Sequence, residues 1–176
     1  MFRNYLILVL IGSFTSSFLV PDRVEKKANK EIAKHYNIKD FDKEVISVPE
    51  EINSTTASEF AYENLFRIIS EDEFIGYGYI GSAEAKVSTY DFLVLFDKDL
   101  IIVKTKILIY REEYGGEISS KRWLEQFSGA SSSSSELIYK KDIIPISGAT
   151  ISVRSMTLAI NDLLKSIKSL QELDII

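Results

Sequence analysis

Apolar residues recur at helical spacing near both ends of the chain. Within residues 24–36 every fourth position is apolar: Val24, Ala28, Ile32 and Tyr36. Within residues 153–170 the same kind of spacing continues for longer: Met156, Ile160, Leu163, Ile167 and Leu170. Such spacing places apolar side chains on one face of an α-helix. We therefore predict an amphipathic helix in each segment, with Asp22 as the N-cap of the first.

The middle of the chain has the composition of a β-sheet. Residues 74–81, 87–96 and 100–110 are rich in aromatic and β-branched residues, and Asp97-Lys98-Asp99 supplies a turn between the last two. These segments predict an antiparallel meander. Strict alternation in the last segment would place five residues on one buried face: Ile101, Val103, Thr105, Ile107 and Ile109.

Shorter segments give weaker patterns. Residues 37–49 indicate a connector with one strand, residues 57–69 and 121–127 each indicate a short helix, and residues 137–146 indicate a strand. Residues 50–56 could equally begin an extended segment. Together these elements predict an α+β domain in which a twisted antiparallel sheet packs its apolar face against helices.

Residues 1–20 differ from the rest of the chain. Arg3 precedes an apolar run over residues 5–11, and small polar residues follow as far as Ser17. This order is typical of an export signal, and the apolar stretch also approaches the roughly 20 residues of a membrane-spanning helix. We expect residues 1–20 to be a signal peptide or membrane anchor. Residues 21–176 would then be one domain that is either periplasmic or anchored to the cytoplasmic membrane, outside the cytoplasm in both cases.

Composition and charge exclude several classes of partner and of reactive site. The chain of 176 residues has a net charge of -5 and no basic stripe, so we do not expect a nucleic-acid partner. The absence of cysteine excludes disulfides, thiolate metal sites and thiol nucleophiles. With His35 as the single histidine, a serine hydrolase using Ser147 or Ser152 would lack a plausible base. We predict no catalytic residue and no metal site, so redox chemistry would need a bound cofactor.

The segment Ser147-Gly148-Ala149-Thr150-Ile151-Ser152 lies between the last predicted strand and the last predicted helix. A helix amino terminus has free backbone N–H groups and the positive end of the helix dipole, so a phosphate ester on Thr150 would be stabilised there. Gly148 and Ala149 are small enough to leave the Thr150 hydroxyl accessible. The alternative is that Ser147 or Ser152 only caps the helix and Gly148 forms the turn.

This segment, with the residues that follow it to Ile160, resembles the flavinylation segment of FMN-binding domains. That family includes the C subunit of sodium-pumping NADH:quinone reductase and the G subunit of the Rnf complex. Weaker similarity extends over residues 74–170. Two positions depart from the family pattern: Ile144 replaces a common acidic residue, with Asp142 nearby, and Glu113-Tyr114-Gly115 replaces a Thr-Pro-Gly loop.

The resemblance implies a cofactor and partners. It implies that Thr150 bears covalent flavin mononucleotide (FMN) in phosphoester linkage, installed by a separate magnesium-dependent flavin transferase that uses FAD. It also implies electron transfer with a membrane or extracytoplasmic redox partner. The alternative function is a cofactor-free binding or assembly module of the cell envelope with the same fold.

Several aromatic residues and glycines complete the predicted site. Tyr114 could stack on a flavin, and the glycines beside it would let backbone N–H groups approach the ring or its phosphate, although a plain turn is the alternative. Trp123, like Tyr77 and Tyr79, could line the flavin or simply pack in the core, and its spacing of four from Phe127 is typical of packing. The predicted cofactor-binding residues are Tyr114, Gly115, Gly116, Glu117, Trp123, Ser147, Gly148, Ala149, Thr150 and Ser152.

Overall fold

The computed structural model describes residues 20–61 and 63–176. One antiparallel sheet contains five strands in the order of the chain. The strands are β1 (Asp42–Val45), β2 (Leu65–Ser70), β3 (Glu73–Glu84), β4 (Thr89–Phe96) and β5 (Ile102–Ile109). The helices are α1 (Asp22–Tyr36), α2 (Glu50–Asn53), α3 (Lys121–Leu124) and α4 (Thr150–Glu172), with single 3₁₀ turns at Gly116–Ser119 and Glu125–Phe127. The α+β class and the central meander are confirmed.

Both faces of the sheet are covered by helices. On one face α4 packs on the α4-side core, which includes Phe92, Phe96 and Ile160. On the other face α1 packs on the α1-side core, which includes Ile32 and Leu93. Burying each large apolar side chain of this kind stabilises the fold by roughly 1.5–3 kcal/mol. The sheet is therefore the middle of three layers, and its two faces hold separate apolar cores.

Strand β5 does not alternate as the sequence predicts. Its pairing with β4 shifts register at two places along the ladder. Each shift inserts an extra residue, which moves the following side chains to the other face. Ile102 therefore joins Ile107 in the α4-side core, whereas Val103 and Ile109 pack with the α1-side core. The prediction of one shared face for alternate residues from Ile101 to Ile109 is wrong for this reason.

Two predicted elements are wrong. The segment 57–69 contains β2 in place of a helix, and the one helical turn of this region is α2. Leu65 packs in the α4-side core and Phe66 in the α1-side core, so β2 has apolar residues on both faces and loses the alternation typical of a strand. The segment 137–146 forms turns with an isolated bridge between Tyr139 and Ile143 instead of a strand.

The remaining elements agree with the sequence, except at one helix end. The helix of residues 24–36, the strand within residues 37–49 and the helix at 121–127 are confirmed as α1, β1 and α3 with its 3₁₀ turn. Asp22 is not an N-cap, since Pro21 holds that position and Asp22 pairs with Lys26 inside the first turn.

The predicted signal peptide or anchor lies, apart from Val20, outside the described residues. Within residues 20–61 and 63–176, none of the helices combines the length and apolar character needed to cross a bilayer.

Candidate functional site

Helix α4 starts directly at Thr150. Ala149 holds the N-cap position, and no side chain makes a capping hydrogen bond there. Gly148 has a φ of 80°, in the left-handed region that favours glycine, and it turns the chain into the helix. The turn at Gly148 is confirmed, whereas the alternative in which Ser147 or Ser152 caps the helix is wrong.

The first turn of α4 presents backbone donors that have no protein acceptor. The first intrahelical bond runs from Val153 N to Ala149 O at 2.9 Å. The amides of Thr150, Ile151 and Ser152 precede it and have no acceptor within the described part of the chain. This turn also contains no acidic residue. An anionic oxygen beside the exposed Thr150 hydroxyl would therefore meet free N–H groups and the positive end of the helix dipole.

Thr150 lines a surface cleft of about 440 Å³. Three segments form its walls: the turn between β3 and β4, the connector after β5, and the start of α4. The lining residues are Lys86, Tyr110, Glu112, Tyr114, Gly148, Ala149, Thr150, Ile151 and Ser152. This volume falls within the roughly 300–1,000 Å³ of small-molecule and cofactor sites. A cleft of about 930 Å³ beside the α1–β1 connector contains none of the predicted site residues.

The connector after β5 is fixed against the start of α4. The Tyr110 hydroxyl donates to Tyr114 O at 3.1 Å, so Ser152 Oγ, also 3.1 Å away, donates to the Tyr110 oxygen. Gly115 has a φ of 79°, and a Cβ atom there would lie 2.8 Å from Ala149 Cβ. Glycine is therefore required at position 115 both by its backbone conformation and by the close approach to Ala149.

Tyr90 attaches the first turn of α4 to the sheet. Its buried hydroxyl donates to Ser152 O at 2.9 Å and lies 2.9 Å from Ser155 Oγ. Ser155 Oγ in turn donates to Glu84 O at 2.5 Å. Burial raises the pKa of Tyr90 well above its ordinary value, so the hydroxyl stays a neutral donor. The residues beside Thr150 are thus held by β3 and β4 as well as by the helix.

Glu112 holds the turn between β3 and β4. Its Oε1 accepts hydrogen bonds from Val87 N at 2.7 Å and Ser88 N at 2.9 Å. These two bonds lower the pKa of Glu112. The sequence analysis identified neither Glu112 nor Lys86, although the meander contains a usable signal. Residues just beyond the end of β5 must lie beside the start of β4, and therefore beside the turn that precedes β4.

Comparison with known proteins assigns this region to a family. The family model described as FMN-binding domain matches residues 87–165. Residues 87–165 belong to the FMN-binding domain family. The match covers every residue that lines the cleft except Lys86. A comparison of the chain with curated proteins found no match. The suspected family is confirmed, and a flavin-binding role follows for this domain.

Exposed apolar side chains surround the cleft of this FMN-binding domain. Val87 is 85% exposed, Tyr114 79% and Ile151 49%. Tyr114 and Ile151 line the cleft, and Val87 lies in the turn that Glu112 holds. Large apolar side chains that face water beside a cleft often mark a binding surface. These three residues offer the apolar contact that a planar aromatic ring such as a flavin requires.

The structure brings together only part of the predicted site. The predicted residues that line the cleft are Tyr114, Gly148, Ala149, Thr150 and Ser152, and Gly115 touches it through Ala149. Ser147, Gly116 and Glu117 do not line the cleft.

The predicted aromatic candidates away from Thr150 pack in the protein core. Trp123 is buried, its Nε1 donates to Ile144 O at 2.8 Å, and its ring meets Phe127 edge to face. Tyr79 is also buried, and its hydroxyl donates to Glu59 O at 3.3 Å. Neither ring lines the cleft of Thr150.

Asp142, which stands near the position where the family pattern has an acidic residue, does not line the cleft either. Its carboxylate accepts a hydrogen bond from Ile138 N at 2.9 Å, within its own turn. Ile144 is 65% exposed. Neither Asp142 nor position 144 therefore places an acidic side chain in the cleft at Thr150, where Glu112 is the one carboxylate among the lining residues.

Proposed function

We propose that this domain carries FMN covalently bound through a phosphoester to Thr150, and that it transfers electrons outside the cytoplasm. One observation carries the proposal. In a domain of the FMN-binding family, an exposed threonine hydroxyl stands at the first position of a helix, and the first three amides of that helix have no acceptor among residues 20–61 and 63–176. A hydroxyl in this place can become an ester whose phosphate oxygens are bound at once by backbone N–H groups.

The attachment reaction that fits this site is a phosphoryl-group transfer from FAD. Thr150 Oγ1 attacks the phosphorus on the FMN side of the FAD pyrophosphate, a new P–O ester bond forms, the P–O bond to the AMP side breaks, and AMP leaves. The hydroxyl proton passes to a base of the transferase, which also supplies magnesium. This chain contributes the nucleophile, and the Thr150, Ile151 and Ser152 amides stabilise the charge on the phosphate.

The rest of the cleft suits the flavin ring. Tyr114 and Ile151 supply exposed apolar surface, and exposed Val87 follows Lys86 in the turn between β3 and β4. Bound FMN supplies the electron chemistry, because it can accept and donate electrons where protein side chains here cannot. The protein holds the ring, keeps it from solvent on one side and shapes its surroundings, while Thr150 serves as a tether with no role in turnover.

Export is the second part of the proposal. The support is the pattern of residues 1–20, in which Arg3 is followed by an apolar run typical of a signal or anchor. A covalent tether suits such a location, because FMN lost outside the cytoplasm could not easily be replaced. The expected partners are a membrane or extracytoplasmic redox protein. Fractionation of cells expressing the full chain should place it in the periplasm or the membrane, and recovery in the cytoplasm would contradict this part.

Fluorescence of the denatured protein tests the tether. After co-expression with a flavin transferase, the wild-type band on a denaturing gel should fluoresce, and Thr150→Ala should be dark because it lacks the hydroxyl. Ser147→Ala is the matched control, since it removes an exposed hydroxyl of the same segment and should leave the fluorescence unchanged. A dark wild-type band would contradict the proposal and favour a cofactor-free module of the cell envelope.

A further inference from the structure

We propose that Lys86 is a further flavin-binding residue, the cation that faces the FMN phosphate, and that Glu112 is the residue that positions it. This inference rests on the proposed function, because it takes the cleft at Thr150 as the flavin site. Lys86 stands just before residues 87–165, and the family match therefore does not include it. Glu112 lies in the connector after β5, outside the segment that resembles the flavinylation motif.

Lys86 belongs to the same cleft as the proposed attachment residue. It lies in the turn between β3 and β4 and lines the same cleft as Thr150. Among the described residues that line this cleft, Lys86 is the only cation and Glu112 the only carboxylate. A phosphate ester in the cleft therefore has one ammonium group among the residues around it, in the turn between β3 and β4. Lys86 is exposed, so the attraction to a phosphate is screened by water and contributes modestly to binding.

Besides the two backbone hydrogen bonds, the positive charge of Lys86 helps to lower the pKa of Glu112, but Lys86 forms no ion pair within the described residues. Eight ion pairs occur within residues 20–61 and 63–176, and none of them includes Lys86. Glu112, although it lines the same cleft, directs its carboxylate to the backbone amides of Val87 and Ser88. The ammonium group thus stays available for an anionic ligand.

Glu112 holds the turn that contains Lys86. Two hydrogen bonds to consecutive amides fix the backbone immediately after Lys86, and Glu112 itself is fixed close to the end of β5. Without the carboxylate the turn would lose both hydrogen bonds, and the backbone and side chain of Lys86 would adopt more conformations. A charge that is held in place loses less conformational entropy on binding than a mobile one.

The two possible effects of Glu112 have opposite signs. If Glu112 acted only by its charge, removing it would strengthen the binding of an anion, because a nearby negative charge repels phosphate. If it positions Lys86, Glu112→Ala weakens the binding. Glu112→Gln removes the charge but keeps an oxygen acceptor for the two amides, so it should bind at least as well as wild type.

The test compares FMN with riboflavin, which differs from FMN by lacking the phosphate. The full chain, produced without a flavin transferase, is titrated with each compound while NMR follows the amides of Thr150, Ile151 and Ser152. Wild type should bind FMN more tightly than riboflavin. Lys86→Ala should raise the Kd for FMN about three- to fivefold and leave the Kd for riboflavin unchanged. Lys86→Arg should restore the wild-type value.

A control variant shows whether an effect of Lys86→Ala comes from the charge at this position or from the net charge of the protein. Lys168→Ala removes an exposed lysine of α4, about 27 Å along the helix from Thr150, and should change neither Kd. Thermal unfolding of each variant establishes that it is folded. Equal FMN affinity of Lys86→Ala and wild type would overturn the proposal, as would a wild-type protein with no preference for FMN. Tighter FMN binding by Glu112→Ala would overturn the role of Glu112.

This inference and the proposed function can fail separately. If FMN binding depends on Lys86 but the denatured wild-type band stays dark after co-expression with a transferase, Lys86 keeps its role and the covalent tether is wrong. If the band fluoresces and Lys86→Ala binds FMN like wild type, the tether stands and the role of Lys86 is wrong.

Discussion

The two long helices, α1 and α4, begin in different ways although they cover opposite faces of one sheet. Neither has a side-chain cap, because Pro21 and Ala149 hold the N-cap positions. The first turn of α1 carries Asp22 and Glu25, whereas the first turn of α4 carries no acidic residue. Carboxylates in the first turn complement the positive end of a helix. The start of α1 is thus complemented by its own side chains, and the start of α4 remains available to an external anion.

The surroundings of the two helix starts reinforce this difference. Hydrogen bonds from Tyr90 and to Tyr110 hold the first turn of α4, which places Thr150 at a fixed point of the cleft. In the first turn of α1, Asp22 pairs with Lys26 on the exposed surface and Glu25 pairs with Lys43 of β1, so both carboxylates are engaged within the protein. Helix α1 therefore stabilises the fold, whereas α4 both stabilises the fold and forms part of the site.

The largest expected effect is a loss of folding stability that leaves the site at Thr150 intact. Ile32 is fully buried in the α1-side core, so Ile32→Ala should lower the free energy of unfolding by about 2–5 kcal/mol. Denaturant unfolding measures this loss, with exposed Lys30→Ala as the control on the same helix. Because α1 lies on the face away from Thr150, the protein that remains folded should still accept FMN to the wild-type extent. Loss of attachment in folded Ile32→Ala would contradict the separation.

Substitution of two glycines near Thr150 by alanine should lower the free energy of unfolding by different amounts. Gly115→Ala combines a positive φ with a Cβ atom 2.8 Å from Ala149 Cβ, whereas Gly148→Ala has a positive φ and no heavy atom within 4 Å. We expect Gly148→Ala to cost roughly 1–2 kcal/mol of unfolding free energy and Gly115→Ala to cost more. Gly115→Ala should also slow FMN attachment, since Ala149 precedes Thr150. Gly116→Ala, with open space around it, is the control, and equal losses at positions 115 and 148 would show that the close approach to Ala149 is unimportant.

A carboxylate can be added to make α4 begin like α1. Ile151 is exposed in the first turn of α4, so Ile151→Glu should stabilise the unmodified protein by about 0.3–1 kcal/mol. The same carboxylate should reduce FMN attachment, because it repels the incoming phosphate and occupies the positive end of the helix. Ile151→Gln has nearly the same shape without the charge and serves as the control. Undiminished attachment in Ile151→Glu would mean that the free helix terminus plays no part.

The smallest effect concerns the pH dependence of the turn held by Glu112. Hydrogen bonds from Val87 N and Ser88 N lower the pKa of this carboxyl in the folded protein. A carboxyl with a lowered folded pKa contributes its full stability above the unfolded pKa, and the contribution is lost as pH falls through the folded pKa. The amide shifts of Val87 and Ser88 should therefore titrate together, with a midpoint below 4.5, the ordinary pKa of glutamate. Glu112→Gln should abolish this titration, and a midpoint above 4.5 would contradict the contact.

The sequence predicted the elements whose patterns are long and local. Helix α4 has an apolar face over most of its length, and β3, β4 and β5 have strand composition separated by turns. The sequence does not predict strand β2, because Leu65 and Phe66 pack in different cores and its apolar residues therefore do not alternate with polar ones. The register shifts in β5 come from pairing with β4, and no short-range pattern reports them.

The residues of the candidate site also differ in how far a local sequence pattern predicts them. Thr150 and its small neighbours could be predicted because the segment is continuous and resembles a known motif. Lys86 and Glu112 have no local pattern of this kind, because their place depends on contacts between two segments that are distant in the chain, such as the bond from Ser88 N to Glu112. Only the order of the strands in the meander indicates that these two segments meet. The spacing of four between Trp123 and Phe127 favours core packing over contact with a flavin, and the structure buries both residues with their rings edge to face.

The most direct test of the central claim is the mass of the denatured full chain after co-expression with a flavin transferase, followed by fragmentation of its peptides. The account predicts a mass increase equal to one FMN less one water, located on Thr150 and absent from Thr150→Ala. An unchanged mass after denaturation, or FMN located on another residue, would contradict it.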